Sequence, residues 1–315
     1  YSNDFSIWDL ESVNHYKDQT DIFFTCHEFS YNKIAEAYEP YLGLIRQMFH
    51  KYCSGTLEEF MEECDVYKLQ RPVFESYFEK GFCERTEQIL IDEVEYEQER
   101  MHSSIVTMLQ KLSEICPIVI VLNRFQLASK STMQLTNRLL QTKNKNIGIV
   151  LGVNDVQSIP EFAHEEWDAI CESMDDRNMV YHIGNAGRNM EPDVMDYYSD
   201  YESDDGYRKL NNLVYFLDFD QADHHLSKIE RRIKFDNFTI SEKKHYQLLL
   251  LQIMVSVLQR DIAKALESCE DLEKLQDQEK EGAFYYNFWM ATSYMYLGKL
   301  EEAMIYVQKA KECGE

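Results

Sequence analysis

The chain has 315 residues, 44% of them hydrophobic, which is length enough for about two domains and apolar content enough for packed cores, so disorder is excluded as its default state. Its 56 acidic against 32 basic residues give a formal net charge of -24, which repels a polyphosphate backbone and argues against DNA or RNA as a direct ligand. Only 5 Pro and 11 Gly are present, too few for an all-β protein that turns every ten residues or so, and a helix-rich α or α/β chain follows.

The charge by itself names no partner; plain solubility is its simplest use, an acidic docking face the other. The 8 Cys lack the paired C-x-x-C spacing of a zinc site or redox dithiol, as expected of reduced thiols in a cytoplasmic protein. No stretch of about 18 consecutive apolar residues occurs, so no membrane anchor is expected. The first residues show no basic region followed by an apolar one, so no signal peptide is expected either. The missing initiating Met suggests the inner piece of something longer.

In chain order, Ile7, Trp8, Leu10 and Val13 behind Asp4 predict a helix over Phe5 to Tyr16. Asp21-Ile-Phe-Phe-Thr-Cys26 has the length and aromatic content of a buried strand. From Tyr38 to about residue 115 the pattern is helical, with Tyr41, Leu44, Ile45 and Met48 on one face and a charged stretch from Arg85 to Arg100, which reads as a helical insertion. Pro117-Ile-Val-Ile-Val-Leu122 is the clearest strand, its unbroken apolarity fitting burial on both faces near the centre of a parallel sheet. A helix over Ser131 to Gln141 leads to a second buried strand, Ile147 to Gly152. A helix around Glu161 to Ser173 and a weaker strand, Met179 to Ile183, follow; right-handed crossovers make all these strands parallel. Residues 1–200 are therefore expected to form an α/β domain, ending in a short helix and a linker rich in Asp, Tyr and Ser between Asp193 and Gly206.

Beyond that, residues 201–315 read as wholly helical, with small residues where helices cross. The stretch from Phe284 carries them at Ala291, Gly298, Ala303 and Ala310 and resembles the tetratricopeptide repeat at most of its diagnostic positions. Aligning Ala303 with Ala265 and Ala222 gives two poorer copies at spacings of 38 and 43 residues. Both exceed the usual period of about 34, so longer helices or connections are expected in the first two units. A generic antiparallel helical bundle is the plainer alternative. Three units are about the minimum for a stable array. Apolar Ile305 and Val307 on the last helix would then want a further repeat.

The strand Pro117 to Leu122 continuing as Asn123-Arg124-Phe-Gln-Leu-Ala-Ser129, the strand end Gly152-Val-Asn154-Asp155, Phe24-Thr-Cys-His-Glu28 and Tyr38-Glu-Pro-Tyr41 together resemble the signal-transduction ATPase class of P-loop proteins, whose nucleotide domains feed tetratricopeptide arrays. The pairing is similar to the regulatory half of large bacterial regulators, including clostridial ones ending in a GGDEF diguanylate cyclase domain. The resemblance implies two acidic residues after the central strand, one holding Mg²⁺ and one activating water. Here Asn123 and Arg124 stand there, a feeble Mg²⁺ ligand and a guanidinium that stays protonated, so hydrolysis is not expected. It also implies that Asn154-Asp155 senses the γ-phosphate; a strand-end turn capping the next helix is the alternative.

No G-x-x-x-x-G-K-[ST] phosphate loop occurs, so ATP with Mg²⁺ is expected only if an upstream segment supplies one, and otherwise no cofactor. Ala128-Ser-Lys-Ser-Thr132 lacks glycines and reads as a helix N-terminus capped by Ser129. Arg188 after Gly187 could face an anion or simply water. His224, His225 and His245 read as surface or groove residues and Cys26-His27 as structural, because neighbours on a helix or strand point apart. The expected function is a regulatory, non-enzymatic module that holds a protein partner or adjacent domain on its helical repeats. An ATP-binding switch controlling an output domain is the alternative, and no metal site is expected.

Overall fold

The computed structural model describes residues 19, 21–30, 33–83, 94–142, 144–153, 159–175, 203–235, 239–275 and 280–314. The expected helix at Phe5, the strand at Met179 and the short helix after Asp193 lie outside the described residues. Within them the chain is helix-rich, with a small three-stranded parallel sheet followed by a run of helices. Contacts divide it into two units, Tyr1–Asp200 with Tyr215–Asp218, and Tyr201–Val214 with Phe219–Glu315.

In the first unit, β1 (Phe23–Glu28), β2 (Ile118–Asn123) and β3 (Ile147–Gly152) lie in that order, all parallel. The register pairs Phe23 with Ile118 and Ile118 with Ile147, so the three strands end level at Glu28, Asn123 and Gly152. As the middle strand, β2 is covered on both faces, which its unbroken apolar run requires: Ile118, Ile120, Val121 and Leu122 are all buried, and Val121 packs against Phe24, Cys26 and Val150. β1 starts two residues later than the apolar run suggests. Its first ladder bond runs from the Phe23 N–H to the Pro117 carbonyl at 2.7 Å, and Asp21 and Ile22 precede it in a turn.

Between β1 and β2 stand α1 (Tyr41–Tyr52), α2 (Leu57–Glu63), α3 (Arg71–Lys80) and α4 (Val94–Ile115). Tyr41, Leu44, Ile45 and Met48 are the buried face of α1, and the Tyr41 hydroxyl meets the Thr136 hydroxyl at 2.6 Å. α2 begins with a capping box, Thr56 accepting from the Glu59 N–H and Glu59 accepting from the Thr56 N–H. α5 (Lys130–Thr142) joins β2 to β3, and α6 (His164–Asp175) follows β3. Tyr215–Asp218 belongs to this core: the Phe216 ring is enclosed by Tyr38, Phe74 and Tyr77 at centroid distances of 6.1, 5.8 and 5.6 Å.

The second unit contains α7 (Asp204–Tyr215, its last residue apart), α8 (Phe219–Phe235), α9 (Glu242–Leu258), α10 (Ile262–Glu273), α11 (Lys280–Tyr296) and α12 (Leu300–Gly314). α9 and α10 form one hairpin, α11 and α12 another, and α11 also packs on α9 and α10. Every residue of α9 from Leu248 to Leu258 is buried, as expected of a helix apolar all round. The hairpins' first helices, α9 and α11, both have 17 residues and start at Glu242 and Lys280, 38 residues apart, while α10 has 12 residues and α12 has 15.

The links repeat as well. Three residues separate α7 from α8, α9 from α10 and α11 from α12, and the second of each is left-handed: Leu217 at φ 65°, Arg260 at φ 63° and Gly298 at φ 71°. In the two hairpins the turn makes the same six-to-one bond, Asp261 N–H to Ser256 carbonyl at 2.8 Å and Lys299 N–H to Tyr294 carbonyl at 2.9 Å, the Schellman arrangement. The longer first spacing has one source. α8 has 17 residues where α10 has 12, while the connections after them, 236–241 and 274–279, are equally long.

Candidate functional site

The first expected site is the carboxyl end of the sheet, where open parallel sheets place ligands. The level register sets Asn123 between Glu28 and Gly152, and the Asn123 carbonyl accepts from the Phe29 N–H at 3.1 Å. Arg124 turns the chain out of β2 in a left-handed conformation, and its carbonyl accepts from the Leu127 N–H, opening a 3₁₀ turn over Phe125–Leu127. The Arg124 Nε lies 3.4 Å from Glu28 Oε1, both groups being nearly half exposed, so the pair is screened and weak. β2 thus ends in an amide and a guanidinium. Neither is a base at neutral pH. Asn154, Asp155 and Arg188 lie outside the described residues.

Close by, His27 Nε2 lies 3.4 Å from Glu39 Oε1. Burial first, then Lys33, lowers its pKa to about 4 against the pull of Glu28, so the ring is neutral at physiological pH and the contact is no ion pair. Cys26 and His27 are consecutive on β1 and face opposite sides, which leaves no thiol–imidazole pair. The N-terminus of α5 is already occupied. Thr132 N–H donates to Ser129 Oγ at 3.3 Å, and Ser131 N–H donates at 2.9 Å to Asp218 Oδ2, a buried carboxylate of the same unit. The chain's own acid takes the place an anion would hold.

In the second unit, His224 and His225 meet edge to face at 5.6 Å, and His225 is bonded to Gln221 at 2.9 Å. Burial lowers their pKa values to about 4 and about 3. Both rings belong to the packing of α8. Among the described residues no group of three His, Cys, Asp or Glu is placed to hold a metal ion, and no helix is long and apolar enough to cross a membrane.

The small residues of the helical array occupy two kinds of place. Ala222, Ala265, Ala291, Ala303 and Ala310 are all buried within it. Gly298 differs from the crossing role its spacing suggests. It lies exposed in the turn, a Cβ there would meet nothing within 4 Å, and what it supplies is the left-handed conformation. Its equivalents Arg260 and Leu217 hold the same conformation with side chains attached, so no glycine marked those turns in the sequence. Also unmarked was a polar knot joining α8, α9 and α10: Asp223 Oδ1 accepts from Lys264 Nζ at 2.5 Å and from Gln252 Nε2 at 2.8 Å.

The face of α9 and α10 that receives α11 is tightly made. A Cβ on Gly282 would stand 2.5 Å from the Tyr246 ring, and the Tyr286 hydroxyl donates to Glu273. Thirty-eight residues on, several positions are more exposed. Leu250 is 4% exposed and its equivalent Phe288 39%; Val257 is 0% and Met295 52%; Cys269 is 2% and Val307 50%. Leu300, Met304 and Ile305 extend this apolar exposure along α12. On the other side Tyr294 stacks on Tyr306 at 5.5 Å, with Lys299 and Lys309 over the two rings. Scattered surface apolar residues need no explanation, but among the described residues seven of the ten exposed large apolar side chains lie on this hairpin and its turn.

No protein family, no curated protein and no solved structure matches the chain significantly, so the site stands on its own geometry.

Proposed function

We propose that this chain is a regulatory, signal-transducing module in which a nucleotide-domain-like α/β unit without hydrolytic chemistry is joined to tetratricopeptide-like hairpins that hold a protein partner or neighbouring domain. One observation carries the reading: α11 repeats the length of α9 and the turn after it has the same form, yet the later hairpin exposes at Phe288, Met295 and Val307 what the earlier one encloses at Leu250, Val257 and Cys269. An element built to be covered on that face, and open there, is a docking surface for another helical element. The parallel sheet with crossover helices supports the nucleotide-domain likeness. Asn123 and Arg124 at the end of β2 support the lack of hydrolysis, since neither binds Mg²⁺ well nor takes a proton from water.

The test combines two measurements on the full chain. A photo-crosslinking residue at Leu300 is expected to trap one discrete protein species in cells, lost on Met304→Glu, while the same residue at exposed Tyr96 in the first unit traps none. Mg·ATP is expected to yield no phosphate above the uncatalysed rate. Equal trapping at Leu300 and Tyr96 removes the partner-binding reading, and phosphate release over many turnovers removes the non-hydrolytic one.

A further inference from the structure

We propose that a cleft in the first unit, between α4, α5 and α6, binds a small organic dication, an aliphatic diamine, through the acceptors that line it. The cleft has a volume of about 430 Å³. Two helices each give it one face: Glu95, Gln98, Glu99 and His102 lie on α4 in steps of three, one and three residues, and Gln134, Asn137, Arg138 and Gln141 on α5 in the same steps. α6, which packs on α5, adds Glu165, Glu166 and Ala169. Such spacing on packed helices ordinarily carries the apolar stripe that faces a core. Here the stripe is polar, and among the described residues only Ala169 lines the cleft with an apolar side chain. The site gives the first unit a small-molecule input that does not depend on the surface of α11 and α12.

Hydrogen bonding and charge select the ligand. Donors in the cleft are engaged by the chain itself: Arg138 Nη2 donates to Glu99 Oε2, Gln134 Nε2 to Glu166 Oε1 at 2.9 Å, and Gln98 Nε2 to the Leu217 carbonyl at 2.8 Å. The buried side-chain atoms of the cleft that have no partner among the described residues are Glu166 Oε2 and His102 Nε2. His102 is only 6% exposed, and its ring stands edge to face with Tyr38 at 5.4 Å. Burial first, then Arg138, lowers its pKa to about 4, so the ring is neutral and, in the tautomer protonated at Nδ1, accepts at Nε2. Buried acceptors without donors are costly, and ligand N–H groups relieve them. The four carboxylates of the cleft stand against Arg138 and against Lys130, which lies 3.6 Å from Glu166, an excess of two negative charges. That excess repels a nucleotide or any other anion and matches a dication. A bare metal ion is not favoured, because no three His, Cys, Asp or Glu among the described residues are placed to hold one. Gln134 and Arg138, the α5 partners of Glu166 and Glu99, are one helical turn apart, about 6 Å along the axis, a span that a short alkyl chain covers between two ammonium groups.

Isothermal titration of the full chain with 1,4-diaminobutane tests this. The expected result is saturable binding at one site per chain with a Kd of about 10 μM to 1 mM, with butylamine weaker by about tenfold and tetramethylammonium, a cation without N–H groups, unable to compete. Glu166→Gln, which removes the acid and keeps its shape, weakens binding by about tenfold, and Ala169→Met, which fills the cleft and leaves every charge in place, abolishes it. Glu301→Gln, an exposed acid of α12, leaves the affinity unchanged. On the unsubstituted chain, the diamine slows amide hydrogen exchange in α4, α5 and α6 and not in α12. Absence of saturable binding up to about 10 mM, equal affinity for tetramethylammonium or Mg²⁺, or an affinity that responds to Glu301→Gln as much as to Glu166→Gln overturns the inference and leaves cations gathered on an acidic surface. Exchange that slows everywhere or nowhere overturns it as well, whatever the variants do.

Discussion

The hairpins α9–α10 and α11–α12 share a frame and differ in what surrounds them. Their first helices are equally long, their turns carry a left-handed residue at the same place, and their six-to-one bonds match. Yet almost every residue in the second half of α9 is enclosed, whereas the last helix of the chain shows Leu300, Met304, Ile305 and Val307 to solvent. The backbone pattern is set locally by the turn and helix lengths, and burial is set by which neighbours stack on each hairpin. Positions 38 residues apart therefore make matched experiments, with backbone held constant and environment changed.

The largest effect comes from placing one charge at both members of such a pair. Val257→Asp puts a carboxylate where no solvent and no partner reach it, at a cost of about 3–5 kcal/mol. Met295→Asp, on the equivalent turn of α11, costs within about 0.5 kcal/mol. Amide hydrogen exchange of α9 and α11 peptides separates them; equal losses would mean the two faces are alike and the comparison is empty.

Acid sharpens the contrast in a second way. His225 in α8 stands where the aligned small residues place Ser268 in α10 and Tyr306 in α12, so only the first helix pair buries an imidazole. Burial, with help from His224 and Lys228, lowers its pKa from 6.5 to about 3. Because the unfolded chain takes up this proton at higher pH than the folded one, the stabilisation is complete above pH 6.5 and is lost as pH falls toward about 3. By pH 4 roughly 3 kcal/mol would be gone from this group. Exchange of α8 amides should accelerate across that window more than exchange of α12 amides, and His225→Gln should flatten the difference. A pH profile unchanged by that substitution would place the acid lability elsewhere.

The seam between the hairpins is probed by Gly282, whose missing side chain lets α11 approach Tyr246. Gly282→Ala sets a methyl against a buried ring and costs about 1–3 kcal/mol by overpacking. Trimming the ring in the same chain should recover part of that loss, so a double-mutant cycle with Tyr246→Ala is expected to show coupling. Additive losses would mean that the helices shift apart freely.

Much of this frame is legible in the sequence because it is written in local patterns. The unbroken run Ile118–Leu122 reads as a strand covered on both faces, and so it lies in the middle of the sheet. The alanines at 222, 265 and 303 give the 43- and 38-residue offsets that the helix starts reproduce. What escaped depends on partners distant in sequence. The start of β1 is fixed by its ladder with β2 rather than by its apolar run, and Glu28 becomes the partner of Arg124 only through that register. The five extra residues of the first pair could be assigned to α8, and not to a connection, only once both helix ends were seen. Asn154 and Asp155, on which a nucleotide reading would lean, lie outside the described residues. Leu217 and Arg260 gave no signal, because a left-handed residue is foreseen from Gly or Asn and these are neither.

That last gap supplies the smallest effect and the cleanest use of the matched frame. At Gly298 the left-handed turn costs little, since glycine has no Cβ to meet its own carbonyl; at Arg260 the same turn carries a side chain and its strain. Arg260→Gly should therefore stabilise the second hairpin, and Gly298→Ala destabilise the third, each by about 1 kcal/mol. No contact is lost in the second case, because open space surrounds the added methyl. Exchanging the two residues, Arg260→Gly with Gly298→Arg, should leave total stability nearly unchanged while moving it from one hairpin to the other. Slower exchange in α10 with faster exchange in α12 would show that the turn is one interchangeable device; a fall in both would mean that the Arg260 side chain has packing of its own to lose.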